Sequence, residues 1–121
     1  MTKEEYDNKI KEIKENGYRY ENGITRPYYY KVIEYRDYKG KKRAVNQLMF
    51  NIYDLSKYAD KIPSNSFFSI EPMVEISRSV DELIYLKLSY LDKERSLEEL
   101  EKIAVEFGQW VDTNIKKYEK E

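Results

Sequence analysis

The chain contains neither cysteine nor histidine. The first absence removes disulfides, thiolate nucleophiles and every zinc site that needs sulfur. The second removes histidine-based triads, the commonest transition-metal ligand and the usual general base near neutral pH. Glycine is scarce as well, and Gly17, Gly23, Gly40 and Gly108 are too scattered to build a Walker loop or a dinucleotide fingerprint. No run of roughly 18 apolar residues occurs, and Met1-Thr2-Lys3-Glu4-Glu5 has no apolar stretch behind its charges. The expectation is a cytoplasmic chain, complete as written, with no membrane partner.

What remains for catalysis is carboxylate and tyrosine. Glu71 and Glu75 on a strand, with Asp81, Glu82, Asp92 and Glu94 in turns, are the acids that could gather a magnesium ion. A nuclease built on an acid followed by Glu-x-Lys would need an acid two residues before Lys87, and Tyr85 stands there. These acids therefore read as solvated charge. No metal, no cofactor and no enzymatic activity are expected.

The 121 residues suit one domain, and although 37% are charged, the apolar 40% fall in periodic runs, which argues for a folded core under a charged surface. Lys outnumbers Arg by sixteen to six, and Tyr, Ile and Asn are plentiful, a residue usage that points to AT-rich coding and so to a low-GC bacterium or one of its mobile elements.

Thr2 and Glu5 form a capping box that starts a helix carrying Tyr6, Ile10 and Ile13, and Asn16-Gly17 supplies its left-handed stop. From Tyr18 to Ile52 the pattern is strand-like, with turns at Asn22-Gly23 and Asp37-Tyr38-Lys39-Gly40 and longer strands over about Tyr28 to Arg36 and Lys42 to Ile52. Leu48, Phe50 and Ile52 alternate toward a core, whereas the preceding strand is aromatic or aliphatic on both faces. A short helical segment, Asp54 to Lys61, closes at Pro63.

A second hairpin carries Phe68, Ile70, Val74 and Ile76 on one strand and Ile84, Leu86, Leu88 and Tyr90 on the other, joined across Ser77 to Glu82. Pro72 cannot donate to a ladder and is expected at an edge or bulge. Ser96 and Glu99 open a long final helix whose Leu97, Leu100, Ala104, Phe107, Val111, Ile115 and Tyr118 recur with a 3.6-residue period. The fold predicted is α+β: an antiparallel sheet of about four to five strands, the long C-terminal helix across one face and a short N-terminal helix.

Two surface features single out binding residues. Eight of the thirteen tyrosines lie between residues 18 and 53, and the first hairpin interleaves Tyr28, Tyr30, Tyr35 and Tyr38 with Arg36, Lys39, Lys41, Lys42 and Arg43. Residues 18–62 hold ten Lys or Arg against five Asp or Glu, so this basic, aromatic hairpin suits a protein partner or phosphate. On the last helix, Ile103, Phe107, Trp110 and Asn114 flank the apolar stripe; core or core-edge packing is the plain reading of Trp110, and a homodimer seam or ligand flank the other. Gly108 beside it costs about 1 kcal/mol against Ala and marks the close approach of another backbone.

The function expected is a small non-enzymatic protein-binding module, in its sharpest form a phage or mobile-element inhibitor of a host enzyme or defence complex. The alternative is a protein that sequesters nucleic acid or a phosphorylated ligand on the same hairpin.

Overall fold

Thr2 caps the first helix, α1 (Lys3–Glu15): its hydroxyl accepts from the Glu5 N–H while the Glu5 carboxylate accepts from the Thr2 N–H. The helix ends at Gly17, whose φ of 85° lets the Gly17 N–H reach the Lys14 carbonyl and the Tyr18 N–H reach that of Ile13. Ile13 and Tyr18, the two side chains this closure brings together, are both buried. The computed structural model describes residues 1–80 and 83–119, and side chains outside 80–84 and 116–121.

Five strands follow: β1 (Arg19–Asn22), β2 (Pro27–Tyr38), β3 (Lys41–Asp54), β4 (Phe68–Val80) and β5 (Leu83–Tyr90), then helix α2 (Leu97–Glu119). The sheet is an antiparallel meander in the order β1-β2-β3-β4-β5, and the α+β architecture expected from the sequence is the one observed. The segment Asp54 to Lys61 forms a single 3-10 turn at Ser56–Tyr58, and Ser64–Ser66 forms a second. Asp81 and Glu82, expected in the last hairpin's turn, lie outside the described residues, as do the side chains of Ile84 and Tyr118.

Directly opposed residues share a face, so the registers define rows running across the sheet. Tyr29, Phe50 and Pro72 form one such row, Leu48 and Val74 a second, and Asn46 and Ile76 a third. All of them lie beneath the helices. Ile13, Tyr18, Leu97 and Leu100 pack on Tyr29, Leu48, Phe50 and Ile70. Ala104 and Val111 pack on Val74 and Ile76, with Phe107 and Ile115 half-buried at the margin.

Pro72 is neither at an edge nor in a bulge. It sits inside β4, and its carbonyl accepts from Leu91 at 3.0 Å. In an antiparallel strand a residue's N–H and C=O point to the same side. The donor that Pro72 lacks would therefore point to the Leu91 carbonyl, one step beyond the last β4–β5 ladder pair, Met73 with Tyr90. The one bond it forgoes is at the end of β5, where the ladder stops.

One arginine joins α2 to the sheet. Arg78, 5% exposed, donates Nε to Asp112 Oδ1 at 2.6 Å and Nη1 to the Val45 carbonyl at 2.6 Å, while Nη2 faces the Gly108 carbonyl at 3.4 Å. The Val45 carbonyl is available because the β2–β3 register slips there: Asn46 opposes Glu34, Ala44 opposes Tyr35, and Val45 opposes nothing. Asp112 also receives both terminal nitrogens of Arg36, at 3.1 and 2.7 Å. Alongside, Asn46 donates to the Ala104 carbonyl at 2.9 Å. Gly108 is closely approached, but by side chains and not by the backbone expected there: a Cβ would stand 2.8 Å from Asn46 Nδ2 and 3.4 Å from Arg78 Nη2.

Burial pushes the Asp112 carboxyl up, but hydrogen bonds and charge from Arg36 and Arg78 outweigh it and hold the group at about 2. A carboxyl held below its ordinary 3.8 stabilises the fold above that value and loses the contribution as pH falls through 2. Stability in denaturant should therefore drop by about 2 kcal/mol between pH 4 and pH 2 on account of this group. Asp112→Ala, which leaves buried Arg78 without its anion, should cost about 3 kcal/mol at pH 7 and flatten that acid dependence. Gly108→Ala should destabilise by about 1 to 2 kcal/mol despite its better helix propensity, since Asn46 is buried and bonded where the methyl must go.

Candidate functional site

With both helices on one side, the other face of the sheet has no layer over it. Its central row runs through four strands, Tyr30 opposite Met49, Met49 opposite Met73 and Met73 opposite Tyr90, with Arg19 of β1 at its end. Flanking rows are Glu21, Tyr28, Asn51 and Glu71 on one side and Val32, Gln47, Glu75 and Leu88 on the other, with Leu86 beyond. Leu86, Leu88 and Tyr90 are 56%, 50% and 62% exposed. The Tyr28 and Tyr30 rings lie 6.0 Å apart, and burial followed by the carboxylates of Glu21 and Glu75 pushes the Tyr28 hydroxyl above its ordinary value. Among the described residues neither Glu71 nor Glu75 has an ion-pair partner.

Tyr28 and Tyr30 of the expected binding set thus join this face, and the remainder of the set does not stay together. The β2–β3 connection is a two-residue loop, with Lys39 at φ 51° and Gly40 at φ 78°, the left-handed pair that a tight hairpin requires. Lys42 sits 4.9 Å from the Tyr35 ring, while Arg43 and Lys39 sit 5.1 and 5.4 Å from that of Tyr38. Tyr35 and Tyr38 differ by an odd number of strand positions, so these stacked cations divide between the two faces of the hairpin. Lys41 stands exposed opposite Tyr38. Arg36 is withdrawn from the set altogether, bound by Glu34 at 2.6 Å and by Asp112, whose hydrogen bonds with those of Glu34 raise the guanidinium's already high basicity.

Trp110 is 52% exposed, which rules out the core half of the expectation and leaves it at the core's edge. Its ring stacks on Phe107 at 5.9 Å and 8° between planes. Ile103 and Phe107 are half-buried, and Asn114 donates to the Trp110 carbonyl at 2.8 Å, so its amide is spent on its own helix. At about 100° per residue, Glu101 and Asp112 mark one flank of α2, tied to Lys31 and Arg36 of β2, and Ile103, Phe107, Trp110 and Asn114 lie on the opposite flank, turned away from β2.

On the helix side, a cleft of about 640 Å³ between α1 and the start of α2 has Phe50, Phe68, Ile70 and Pro72 as its floor. Its rim charges largely satisfy one another, Lys9 with Glu12 and Arg95 with Glu99.

The residues that sequence reasoning missed are Met73, Leu86, Leu88 and Tyr90 as members of one helix-free face, with buried Met49 among them. What decides it is the β4–β5 register, which sets Ile76 opposite Lys87. With Lys87 on the helix side, Leu86, Leu88 and Tyr90 must lie on the other. No protein-family model matches the chain, and no curated protein or solved structure is significantly similar to it.

Among the described residues no three acidic side chains come together as a metal site. Glu71 and Glu75 share a face but stand about 13 Å apart along β4, with Met73 between them. Calorimetric titration with zinc, manganese and magnesium should accordingly be flat, and micromolar binding of any one of them would reopen an enzymatic reading.

Proposed function

We propose that this chain is a non-enzymatic protein-binding module that grips its partner through the helix-free face of the sheet, with the basic hairpin as its rim. The observation that carries the reading is the row Tyr30, Met73 and Tyr90, extended by Tyr28, Leu86 and Leu88, set around Met49, which its neighbours leave only 9% exposed. Three strands of about ten residues, with the four of β1 and the eight of β5, give a face of about 650 Å² at about 4.8 Å between strands and 3.3 Å per residue. That approaches what one partner contributes to a standard interface. Tyrosine and methionine suit the task, the first as a rigid amphipathic anchor and the second as an adaptable apolar surface.

Glu71 and Glu75 lie between these apolar rows, so the partner is expected to present basic side chains within an apolar patch. The narrower form of the proposal, a phage or mobile-element inhibitor of a host enzyme or defence complex, rests on small size, the lack of catalytic residues and the AT-rich residue usage.

The alternative, a nucleic-acid or phosphate binder, draws on Lys39, Lys41, Lys42 and Arg43. With Arg36 consumed by Asp112 and the stacked cations divided between two faces, the hairpin offers phosphate at most four contacts, a logarithmic salt slope of about −3.6 on duplex DNA.

Tagged protein should retain a stoichiometric partner from its host through a wash at about 500 mM salt, lose it in Tyr30→Ala and Met73→Lys, and keep it when Lys41, Lys42 and Arg43 are all reversed to Glu. Both single variants lie on the uncovered face, so circular dichroism should show them folded. Retention by both of them, or a shift of DNA at about 150 mM salt that the triple reversal abolishes, would overturn the reading.

A further inference from the structure

The sheet has two edges, and they are treated differently. β1 is four residues long and its exposed side chains include Arg19 and Glu21, the short, charged form that keeps an edge from pairing. β5 is eight residues long, LIYLKLSY, with no proline and one charge, Lys87. The Leu91 N–H points to β4, where it donates to Pro72. Alternate residues point their backbone groups to opposite sides, so the N–H and C=O of Leu86, Leu88 and Tyr90 point outward, where no strand follows. The α2 flank that carries Phe107 and exposed Trp110 is the one turned away from β2.

We infer that β5 pairs with β5 of a second copy of this chain, antiparallel about a two-fold axis at Leu88, to make a continuous ten-stranded sheet. The strand is complementary to itself in that register. Leu88 opposes its own copy, Leu86 opposes Tyr90, and the outward N–H and C=O of all three fall in phase, which closes six ladder bonds. Lys87 then faces Ser89 rather than a second Lys87, so the one charge meets no like charge. Centring the axis one position earlier would set the two lysines against each other.

Helices of both copies lie on the same side of the joined sheet. The edge is about 26 Å long and, with side chains on both faces, about 10 Å deep, so the two copies together bury about 500 Å², the size of a weak association that depends on concentration. This pairing uses the edge and leaves the helix-free faces free, so it stands or falls separately from the partner-binding reading.

Sedimentation velocity should find a dimer at about 100 µM that dissociates on dilution, and Leu88→Lys, which opposes two lysines across the axis, should leave a folded monomer by circular dichroism. Because the chain has no cysteine, Leu88→Cys gives a readout independent of any disruption. Across the axis the two Cα atoms stand about 5.5 Å apart, so oxidation should link most of the protein into covalent dimer, whereas Lys57→Cys, remote from the edge, should remain monomeric. A monomer at about 100 µM, a dimer that Leu88→Lys leaves intact, or equal cross-linking of the two cysteine variants would each overturn the proposal.

Discussion

The structure depends on Arg78. A buried guanidinium must find an anion and enough acceptors to replace water, and Arg78 finds Asp112 on α2, the Val45 carbonyl freed by the β2–β3 irregularity, and the Gly108 carbonyl. Each of these partners sets something else. Asp112 recruits Arg36 and fixes one flank of α2 against β2. Gly108 lets the helix descend onto Asn46. The helix is thereby held over β2, β3 and β4, and β5 is left without a helix above it.

From that placement follows the two-sidedness of the sheet. Phe50, Val74 and Ile76 have the helices as partners, while their neighbours Met49, Met73 and Glu75 point the other way, with Met49 buried only by the side chains around it. The described residues hold two α-helices, and both are committed to one face. The apolar side chains of the other face retain the free energy of burial, about 25 cal/mol for each Å² removed from water, for whatever covers them. The basic hairpin, by contrast, offers charges already stacked on its own tyrosines, which fits a rim that tunes association better than a centre that provides affinity.

Much of this was legible in the sequence. Thr2 with Glu5, Gly17 as the stop of α1, and the stripe from Leu97 to Val111 are local signals, and local geometry realised them. What could not be read were matters of pairing. The alternation in β5 says that Leu86, Leu88 and Tyr90 share a face, but which face depends on the partner strand, and the register sends them away from the core. Arg78 falls in phase with Val74 and Ile76, so alternation puts it on the core side, but nothing local names its partner until the facing helix supplies Asp112. Arg36 reads as part of a basic patch for the same reason. Pro72 is tolerated in an interior strand because the donor it lacks faces the end of β5, where the ladder stops. Trp110 sits off the stripe by an angle that the sequence makes visible, whereas its exposure depends on how far the sheet extends beneath it.

The central claim, that recognition belongs to the helix-free face, has a direct probe in the three methionines. Met49 and Met73 lie in the middle of that face, and Met1 lines the cleft between the helices on the opposite side. Protein labelled with carbon-13 at the methionine methyl groups and titrated with its purified host partner should show the Met49 and Met73 resonances shift or broaden while Met1 stays fixed. Movement of Met1 with Met49 and Met73 unchanged would place the partner on the helix side and contradict the account.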